Sequence, residues 1–415
     1  MSSENLLDKL NERVTALQER SRHKQLGTLA IITKVNHFAL KYIIKRARAK
    51  YIKDDCLNVS FLLEGGLGDF CIQFQWIKAF LDQHLLNQGD KRWGVIVIVS
   101  NVDFIKQMIG DYPFVDKICT YKEYISNYKC HLSFEFTNVA DFTIQDHKAI
   151  RQYEPQLYEQ LMQAEANYGP MRPMLTKSKA AHRHIFQYAE AKGYNRYDVL
   201  GSIGLCQFDR HTKPFFNVDH GRISETLNKF QLADVKFITV VSTIGSIPVP
   251  SSIPEDSKEF LEYKQQGTRL IPKDLAEQII VKLKEELPEY KIVQLGAKEA
   301  IHFDHVDLDL IGKTSFNESI DLVYAADSML VNDSGLMHIR YSMGKTATVV
   351  LWGPTPGKYV GYEANINIQG TCEPCLWLTM DWNTNCPRGY GCAQCMRSIK
   401  ADTVVQAVKQ SLGVA

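Results

Sequence analysis

The stretch between residues 327 and 356 constrains the fold of this 415-residue chain most strongly. Residues 328–331, a serine followed by three apolar residues, predict a short buried strand, and Asp-Ser-Gly at 333–335 predicts a tight turn. Residues 337–343 predict a helix, and the apolar residues 346–352 predict a second buried strand. A strand, turn, helix and strand in this order form the repeating unit of a parallel α/β sheet.

The turn at Asp333, Ser334 and Gly335 is also a candidate binding site. A helix that begins there directs free backbone N–H groups, and the positive end of its dipole, beyond the carboxyl end of the strand. In parallel α/β folds a phosphate or diphosphate binds at that place. His338, one turn into the helix, is expected to face the same opening. The three residues are equally consistent with an ordinary capped turn.

Length and composition indicate a globular protein of two domains. The chain is 45% apolar and 23% charged, which is enough apolar material for a sizeable core. The net charge of +1 gives no reason to expect a nucleic-acid partner. Met1 to Arg22 are polar and charged, and no apolar run approaches the roughly 20 residues that cross a bilayer, so we expect a cytoplasmic protein.

The first 55 residues predict a basic helical extension. Apolar residues recur at helical spacing in residues 6–17 and 31–43. Ten Lys or Arg and no acidic residue lie between residues 20 and 53. Such a stretch can lie on an anionic membrane surface, and it can equally cover the core or form a homo-oligomer contact.

A glycine-rich turn is predicted between a strand at residues 57–63 and a helix that begins near Phe70. Gly66 and Gly68 would let a ligand approach the backbone. Asp69 stands at the mouth of the helix, where a carboxylate can take a proton from a bound hydroxyl. Asp69 is equally suited to cap the helix.

A second α/β half is predicted from residue 237 onward. Strands are expected at 237–242 and 290–295, and helices at 272–287 and 316–326. Residues 244–267 read as an inserted loop, about twice the usual length and a candidate lid. Helices at 155–166 and 179–192 fall in a region whose role the residues do not decide.

Three stretches together resemble glycosyltransferase family 9, the ADP-heptose:lipopolysaccharide heptosyltransferases. They are Gly66-Leu-Gly-Asp69, Asp309-Leu-Ile-Gly-Lys-Thr-Ser315, and Asn332-Asp-Ser-Gly-Leu-Met-His338 followed by Gly353-Pro-Thr355. The resemblance covers roughly residues 57–110 and 237–412. It implies the GT-B fold, α/β with two facing Rossmann-like domains of parallel strands.

The resemblance also implies roles for individual residues. Asp69 matches the catalytic base of an inverting transfer, and the helix N-terminus at Asp333-Ser334-Gly335, supported by His338, would stabilise the departing diphosphate without a catalytic metal. Arg269 stands where the family has a lysine, although the 244–267 insertion displaces the usual donor loop. Glu299 resembles the acidic contact to the ribose, and it is equally consistent with a solvated glutamate at a helix start.

Five cysteines lie between residues 372 and 395. Two Cys-x-x-Cys pairs, about seventeen residues apart, have the spacing of a tetrathiolate zinc or iron site of structural role. The predicted ligands are Cys372, Cys375, Cys392 and Cys395, with Cys386 as a substitute. Autotransporter heptosyltransferases, which modify proteins, resemble this chain in having such a cysteine cluster, but family 9 proteins also carry cysteines here without a metal.

The predicted organisation has five parts. These are a basic extension (1–55), an acceptor domain (56–236), a donor domain (237–371), a Cys-rich knuckle (372–396) and a C-terminal crossing helix (397–415). The predicted activity is inverting transfer of heptose from ADP-heptose to a hydroxyl of a lipopolysaccharide-core saccharide or glycolipid. The alternatives are transfer to a protein and a non-catalytic scaffold that binds a nucleotide sugar.

Overall fold

A computed structural model describes residues 49–85, 93–109, 112–177, 181–212, 216, 218–243, 249, 252–254, 257–390 and 394–414. The basic helices predicted within residues 1–48 lie outside the described residues. Among the residues described, no helix is both long and apolar enough to cross a membrane.

The first sheet has five strands in the order β3-β2-β1-β4-β5. β1 pairs with β2, and β2 with β3, in parallel register. The strands are β1 Asn58–Leu63, β2 Gly94–Ile98, β3 Lys117–Cys119, β4 Leu132–Phe136 and β5 Ala140–Ile144. All five residues of β2 are buried, as expected for a strand of a parallel sheet with both faces covered.

The second sheet has six strands in the order β11-β10-β9-β6-β7-β8, and all five of its pairings are parallel. The strands are β6 Phe237–Val241, β7 Lys291–Leu295, β8 Leu308–Asp309, β9 Ser328–Asn332, β10 Thr348–Trp352 and β11 Ile366–Gln369. β6, β9 and β10 are buried along their whole length. The α/β class predicted from the sequence is therefore confirmed.

The helices connect these strands and are numbered in chain order. They are α1 Leu67–Leu85, α2 Val102–Ile109, α3 Tyr121–Asn127, α4 His147–Tyr153, α5 Pro155–Tyr168, α6 Ala181–Lys192, α7 Arg196–Gly201, α8 His220–Lys229, α9 Lys258–Lys264, α10 Lys273–Glu286, α11 Phe316–Ala325, α12 Gly335–Ser342, α13 Gly357–Val360, α14 Gln394–Arg397 and α15 Ala401–Leu412, with a π-helix at Pro173–Lys177. The predicted inserted loop is thus partly helical, because α9 lies within residues 244–267.

The core of the second sheet is closed by α10 and α15. Ile279, Ile280 and Leu283 of α10 are fully buried and belong to one apolar cluster with Val404 and Val408 of α15. Each helix presents one apolar face to the sheet, so its polar face stays in solvent.

The strand order of the second sheet predicts where a ligand would bind. β6 lies between β7 and β9, and the chain runs outward from it in both directions. Ligands of open α/β sheets bind beyond the carboxyl ends of the strands at such a reversal. Here the side chain of Asn332, at the end of β9, bonds both the N–H (3.2 Å) and the carbonyl (3.0 Å) of Thr243, just beyond β6. These two hydrogen bonds fix the backbone immediately before Asp333 and α12.

The chain divides into two compact units that differ from the domains drawn from the sequence. One unit comprises residues 1–63, 88–135 and 141–159, and the other comprises residues 64–87, 136–140 and 160–415. The glycine-rich turn and α1 therefore belong to the same unit as the second sheet. The five parts drawn from the sequence stay predictions.

Candidate active site

A cavity of about 1140 Å³ lies within the second unit. Its wall contains all nine non-cysteine residues that the sequence singled out. They are Gly66, Gly68, Asp69, Arg269, Glu299, Asp333, Ser334, Gly335 and His338. The turn after β1 and the turn after β9 are far apart in the sequence, and the fold brings them to one cavity.

The glycine-rich turn holds the side chain of Asp69 in place. Gly65 has a φ of +107°, a conformation that favours glycine. The N–H of Gly66 donates a 2.9 Å hydrogen bond to Oδ2 of Asp69. Asp69 lies in the first turn of α1, which begins at Leu67, three residues earlier than predicted. Asp69 therefore satisfies a backbone donor before the helix as well as facing the cavity.

The other carboxylate oxygen of Asp69 accepts a hydrogen bond from Arg196. The distance from Nη2 of Arg196 to Oδ1 is 2.6 Å, and the Arg196 side chain is 8% exposed. Burial disfavours the charged guanidinium, but Asp69, together with Tyr359 and Asp333, favours it, and the pKa of Arg196 is raised overall. Sequence reasoning missed Arg196, which lies in the region that the motifs do not cover.

His338 packs directly on Gly68. A Cβ atom added to Gly68 would lie 2.3 Å from Cδ2 and 2.7 Å from Nε2 of His338. Gly335, the first residue of α12, is packed against the side chain of Leu67, which would lie 2.8 Å from an added Cβ. Both glycines are thus required by the close approach of α1 and α12. This packing fixes the position of Asp69 relative to the start of α12.

Asp333 is a buried carboxylate held by two donors. Its Oδ2 accepts hydrogen bonds from Oγ1 of Thr355 at 2.8 Å and from Nη1 of Arg269 at 3.0 Å. Burial acts to raise the pKa of Asp333, but the positive charge of Arg269 and the hydrogen bonds from Arg269 and Thr355 together lower it, so the carboxylate is ionised at neutral pH. Asp333 therefore serves to hold Arg269 at the cavity wall.

Ser334 is the N-cap of α12, as the turn predicted, but its side chain does not cap the helix. Its Oγ is buried and has no hydrogen-bond partner among the described residues. The first N–H groups of α12 are those that an α-helix leaves without intrahelical partners. A free hydroxyl at the positive end of a helix forms a site suited to an anion.

Arg269 is supported by the segment that follows Cys375. Its guanidinium carbon lies 5.5 Å from the ring centroid of Trp382. The neighbouring Thr268 bonds the carbonyls of Asn383 (3.0 Å, from N–H) and Trp382 (2.9 Å, from Oγ1). Trp382 and Asn383 also line the cavity, together with Leu376 and Trp377. The Cys-rich segment is thus a wall of the cavity, which the sequence did not indicate.

Glu299 and the insertion contribute the side of the cavity near β7. Glu299 follows the end of β7, and its side chain is 23% exposed. Lys264 and Gln265, at the end of α9, line the cavity beside it, and Nε2 of Gln265 donates to the carbonyl of Glu299 at 3.4 Å. The described part of the insertion therefore reaches the candidate site.

His338 is neutral at physiological pH. Burial lowers its pKa to about 4, despite the opposing carboxylates of Asp333 and Asp69. Its Nδ1 lies 2.7 Å from the hydroxyl oxygen of Tyr362, which is itself buried. A neutral ring cannot provide positive charge to a diphosphate, whereas Arg269 and the start of α12 are positive groups that lie beside Asp333.

The described cysteines do not by themselves complete a metal site. Among the residues that the structure describes, no group of three or more His, Cys, Asp or Glu side chains could hold a metal ion. Burial raises the pKa of Cys375, and raises that of Cys395 to about 11. The predicted ligand Cys392 lies outside the described residues.

Comparisons with known proteins bear on the same part of the chain. Residues 256–378 match the family model described as glycosyltransferase family 9 (heptosyltransferase). The resemblance to family 9 is confirmed. The matched region contains Arg269, Glu299 and the whole stretch from Asp333 to Thr355.

Two curated relatives and one solved structure agree with the family 9 match. The lipooligosaccharide heptosyltransferase 2 of Haemophilus influenzae is 29% identical over 147 residues, and that of Haemophilus ducreyi is 28% identical over 150 residues. Each match covers 35% of this chain and 41% of the relative. The crystal structure of a glycosyl transferase family 9 protein from Veillonella parvula has a TM-score of 0.52 at 12% identity, over 88% of this chain and all of the other. This likeness supports the family 9 fold.

Proposed function

We propose that the protein is an inverting glycosyltransferase that moves heptose from ADP-heptose to a hydroxyl of a lipopolysaccharide-core saccharide. One observation carries the proposal. Asp69, a carboxylate at a glycine-rich turn, lines the same cavity as the N-terminus of α12, which is suited to bind a diphosphate. A base and a leaving-group site in one cavity are the two parts that such a transfer needs.

In the proposed reaction Asp69 removes the proton from the acceptor hydroxyl as its oxygen attacks the anomeric carbon. The C–O bond to the diphosphate breaks in the same displacement, and ADP leaves. The bonds from Gly66 and Arg196 each engage one carboxylate oxygen, and each oxygen keeps a second lone pair. Both bonds orient the carboxylate toward the cavity, where a positioned base contributes about 10²–10⁴-fold in rate.

The departing ADP is proposed to be stabilised by groups around Asp333. The first N–H groups of α12, the free hydroxyl of Ser334 and the guanidinium of Arg269 all provide hydrogen-bond donors in this part of the wall. Such preorganised donors act on the charge that develops on the leaving oxygen. The proposed step requires no catalytic metal, since these groups supply the positive charge.

The remaining predicted residues are proposed to hold the nucleotide sugar. Glu299, beyond β7, would accept hydrogen bonds from the ribose hydroxyls. Gly66 would leave room for the sugar at the turn before α1, and Gly68 would contribute by admitting the ring of His338 to the same wall. These roles follow from the family resemblance and from the place of each residue in the cavity wall.

A panel of donors tests the proposal. Thermal unfolding of the wild-type protein would be measured with ADP-heptose, ADP-mannose, UDP-glucose and GDP-mannose, because a ligand raises the midpoint by mass action. ADP-heptose should give the largest shift, and Arg269→Met should remove most of it. A larger shift with a UDP- or GDP-sugar would reject the proposed donor.

Two alternatives remain for the acceptor and the activity. A protein acceptor is favoured by the cysteine cluster, and transfer of label from ADP-heptose to a polypeptide rather than to a saccharide extract would identify it. A non-catalytic scaffold that binds nucleotide sugars would show the thermal shift but release no ADP with any acceptor. Chromatography with light scattering would show whether copies of the chain associate.

We also propose, from the sequence, a structural zinc or iron ion at the cysteine cluster and a peripheral membrane contact through residues 20–53 of a cytoplasmic protein. Elemental analysis of protein purified without added metal tests the first. Less than about half an equivalent of either metal would reject it. Binding of a truncation that begins at residue 49 to vesicles of anionic lipid, compared with the full chain, tests the second.

A further inference from the structure

The Cys-rich segment contributes two tryptophans to the wall of the cavity. Trp382 packs with Arg269, which the proposed reaction places at the diphosphate. Trp377 packs instead against His182, with the two ring centroids 5.4 Å apart and the ring planes tilted by 37°. Both Trp377 and His182 line the cavity. The proposed reaction assigns no task to either of them.

Trp377 is held in an unfavourable backbone conformation. It is the third residue of a turn in which the N–H of Leu378 donates to the carbonyl of Cys375 at 3.0 Å, and its φ is +55°. Glycine or asparagine is usual at such a position, and a bulky residue is strained there. Backbone strain of this kind concentrates at ligand sites, where the surrounding structure maintains it.

Neighbouring elements hold this turn and its indole in place. The N–H of Cys375 donates to a backbone carbonyl in the loop after β10 at 2.9 Å, and Nη1 of Arg183 donates to the carbonyl of Leu376 at 3.1 Å. The indole of Trp377 also makes an edge contact with the buried ring of Tyr359, with centroids 6.3 Å apart and planes at 80°. These contacts position the indole at the cavity wall.

The turn that holds Asp69 is joined to the loop after β4. Gln73 of α1 is fully buried, and its Nε2 donates to the carbonyl of Glu64 at 2.8 Å and to that of Thr137 at 3.3 Å. Glu64 directly precedes the glycine-rich turn, and both Glu64 and Thr137 line the cavity. Gln73 therefore fixes this loop relative to the proposed base.

The same loop reaches Trp377 through His182. The side-chain amide of Asn138 is hydrogen-bonded to Nδ1 of His182, whose ring packs against the indole. Asn138 is buried, whereas His182 is exposed, and both line the cavity. Amide and imidazole groups that can bond hydroxyls therefore lie on the same wall as a flat apolar ring and Asp69.

This combination suits a sugar ring. The faces of a pyranose present apolar C–H groups that pack on an aromatic ring, and its edge presents hydroxyls that need hydrogen-bond partners. Sites for small ligands likewise combine apolar and aromatic surface with a few placed polar groups. An extended polypeptide is instead commonly held by main-chain hydrogen bonds along a strand edge, and this wall is built of turns and side chains.

We propose that Trp377 is the platform on which the acceptor saccharide lies, with His182 bonding a hydroxyl at the edge of the sugar ring and another hydroxyl facing Asp69. The role of this sugar as the acceptor rests on the proposed function, whereas the sugar site itself rests on the contacts around Trp377. The two tryptophans of the Cys-rich segment then serve different substrates. Trp382 supports the diphosphate site, and Trp377 holds the acceptor.

Nitrogen NMR of protein labelled with ¹⁵N-tryptophan tests the sugar site without any transfer. The chain has five tryptophans, and Trp377→Phe and Trp382→Phe assign two of the indole N–H signals by their absence. ADP should shift the Trp382 signal. The delipidated core oligosaccharide of a heptose-deficient lipopolysaccharide, added next, should shift the Trp377 signal. A serine-rich polypeptide should shift neither.

Each other outcome of the NMR titration has a definite meaning. If the oligosaccharide shifted only the Trp382 signal, or neither signal, the acceptor platform would be overturned. A shift of the Trp377 signal by the polypeptide alone would assign the wall to a protein acceptor and would also overturn the proposal. If ADP did not shift the Trp382 signal, the proposed donor site would fail, while the oligosaccharide result would still decide the sugar site.

Steady-state release of ADP from ADP-heptose tests the role of the platform in transfer. Trp377→Gly removes the ring and suits the positive φ, so the variant should keep its fold, as thermal unfolding would show. Its KM for the acceptor should rise by about tenfold, and its KM for ADP-heptose should change by less than about twofold. Trp377→Phe keeps an aromatic face and should recover most of the acceptor affinity.

Two further variants complete the kinetic test. Trp382→Leu should show the reverse pattern, with a raised KM for ADP-heptose and an unchanged KM for the acceptor. Leu378→Ala changes an exposed neighbour of Trp377 outside the cavity wall and should leave both KM values unchanged. An equal rise of both KM values in Trp377→Gly, or an acceptor KM equal to that of Leu378→Ala, would overturn the platform.

Discussion

Nη2 of Arg196 lies 2.6 Å from Oδ1 of Asp69, and the two side chains form an ion pair although they are 127 positions apart in the sequence. The two side chains differ in environment, because Arg196 is 8% exposed and Asp69 is 29% exposed. The carboxylate proposed as the base is thus also the partner of a buried cation. Asp69 is therefore expected to contribute to stability as well as to the proposed catalysis, and substitutions can separate the two.

Replacement of each partner should affect stability unequally. Asp69→Ala leaves a buried guanidinium without its counter-ion, and loss of one partner of a buried pair costs about 3–5 kcal/mol. Partial exposure of Asp69 places the expected loss at the lower end of that range. Arg196→Met leaves only a partly exposed carboxylate, so a smaller loss is expected. Urea unfolding of both variants checks this, and an equal or larger loss in Arg196→Met would contradict it.

Gly68 and Gly66 provide a matched pair in the same turn. Gly68→Ala would place its Cβ 2.3 Å from the ring of His338, whereas a Cβ at Gly66 would lie 3.8 Å from Asp69. Overpacking of this kind costs about 1–3 kcal/mol. We expect Gly68→Ala to lower the free energy of unfolding by that amount and to weaken donor binding, with Gly66→Ala close to wild type in stability. Similar losses of unfolding free energy in Gly68→Ala and Gly66→Ala would show that the contact between α1 and α12 is not tight.

Arg269 should contribute to ADP affinity mainly through its charge. A hydrogen bond to a charged group contributes about 1.5–3 kcal/mol, which corresponds to roughly 10–100-fold in affinity. Arg269→Met should weaken ADP by that factor, and Arg269→Lys by less. Arg388→Met, at an exposed arginine outside the cavity wall, is the control. If calorimetry found the same ADP affinity for Arg269→Met and for the control variant, Arg269 would not be part of the ADP site.

His338 should make stability depend on pH in the acid range. Its pKa is about 4 in the folded protein and 6.5 without burial, so the unfolded chain binds the proton more readily between these values. Its contribution is complete above about pH 6.5 and is lost as the pH falls toward 4. In His338→Gln the slope of unfolding free energy against pH should be smaller over this interval. An unchanged slope would mean that His338 is not buried as a neutral ring.

Much of the second sheet could be predicted from the sequence, because its strands are short apolar runs between turn residues. The strands at β6, β7, β9 and β10 and the helices α10 and α11 were expected within about two residues of where they lie. The turn at Asp333 was predictable for the same reason. Its Asp-Ser-Gly sequence interrupts an apolar run and begins a helix.

The contacts that complete the cavity could not be predicted. Arg196 lies on α7, in a helical region that has no motif, and only the tertiary fold brings it to Asp69. Tyr362 lies beyond the recognised signature, and its hydrogen bond to His338 has no local pattern. Trp382 reaches Arg269 because the Cys-rich segment folds back over Thr268, a long-range contact that the spacing of cysteines does not indicate.

The central claim is that Asp69 is the base of a sugar transfer. It is tested most directly by ADP release from ADP-heptose in the presence of a heptose-deficient lipopolysaccharide acceptor, with Asp69→Asn compared with the wild type. Asparagine keeps the size of the side chain but cannot take the proton. We predict that Asp69→Asn binds ADP-heptose within about threefold of wild type and releases ADP about 10²–10⁴-fold more slowly. Release at the wild-type rate by a variant that binds the donor normally would contradict the account.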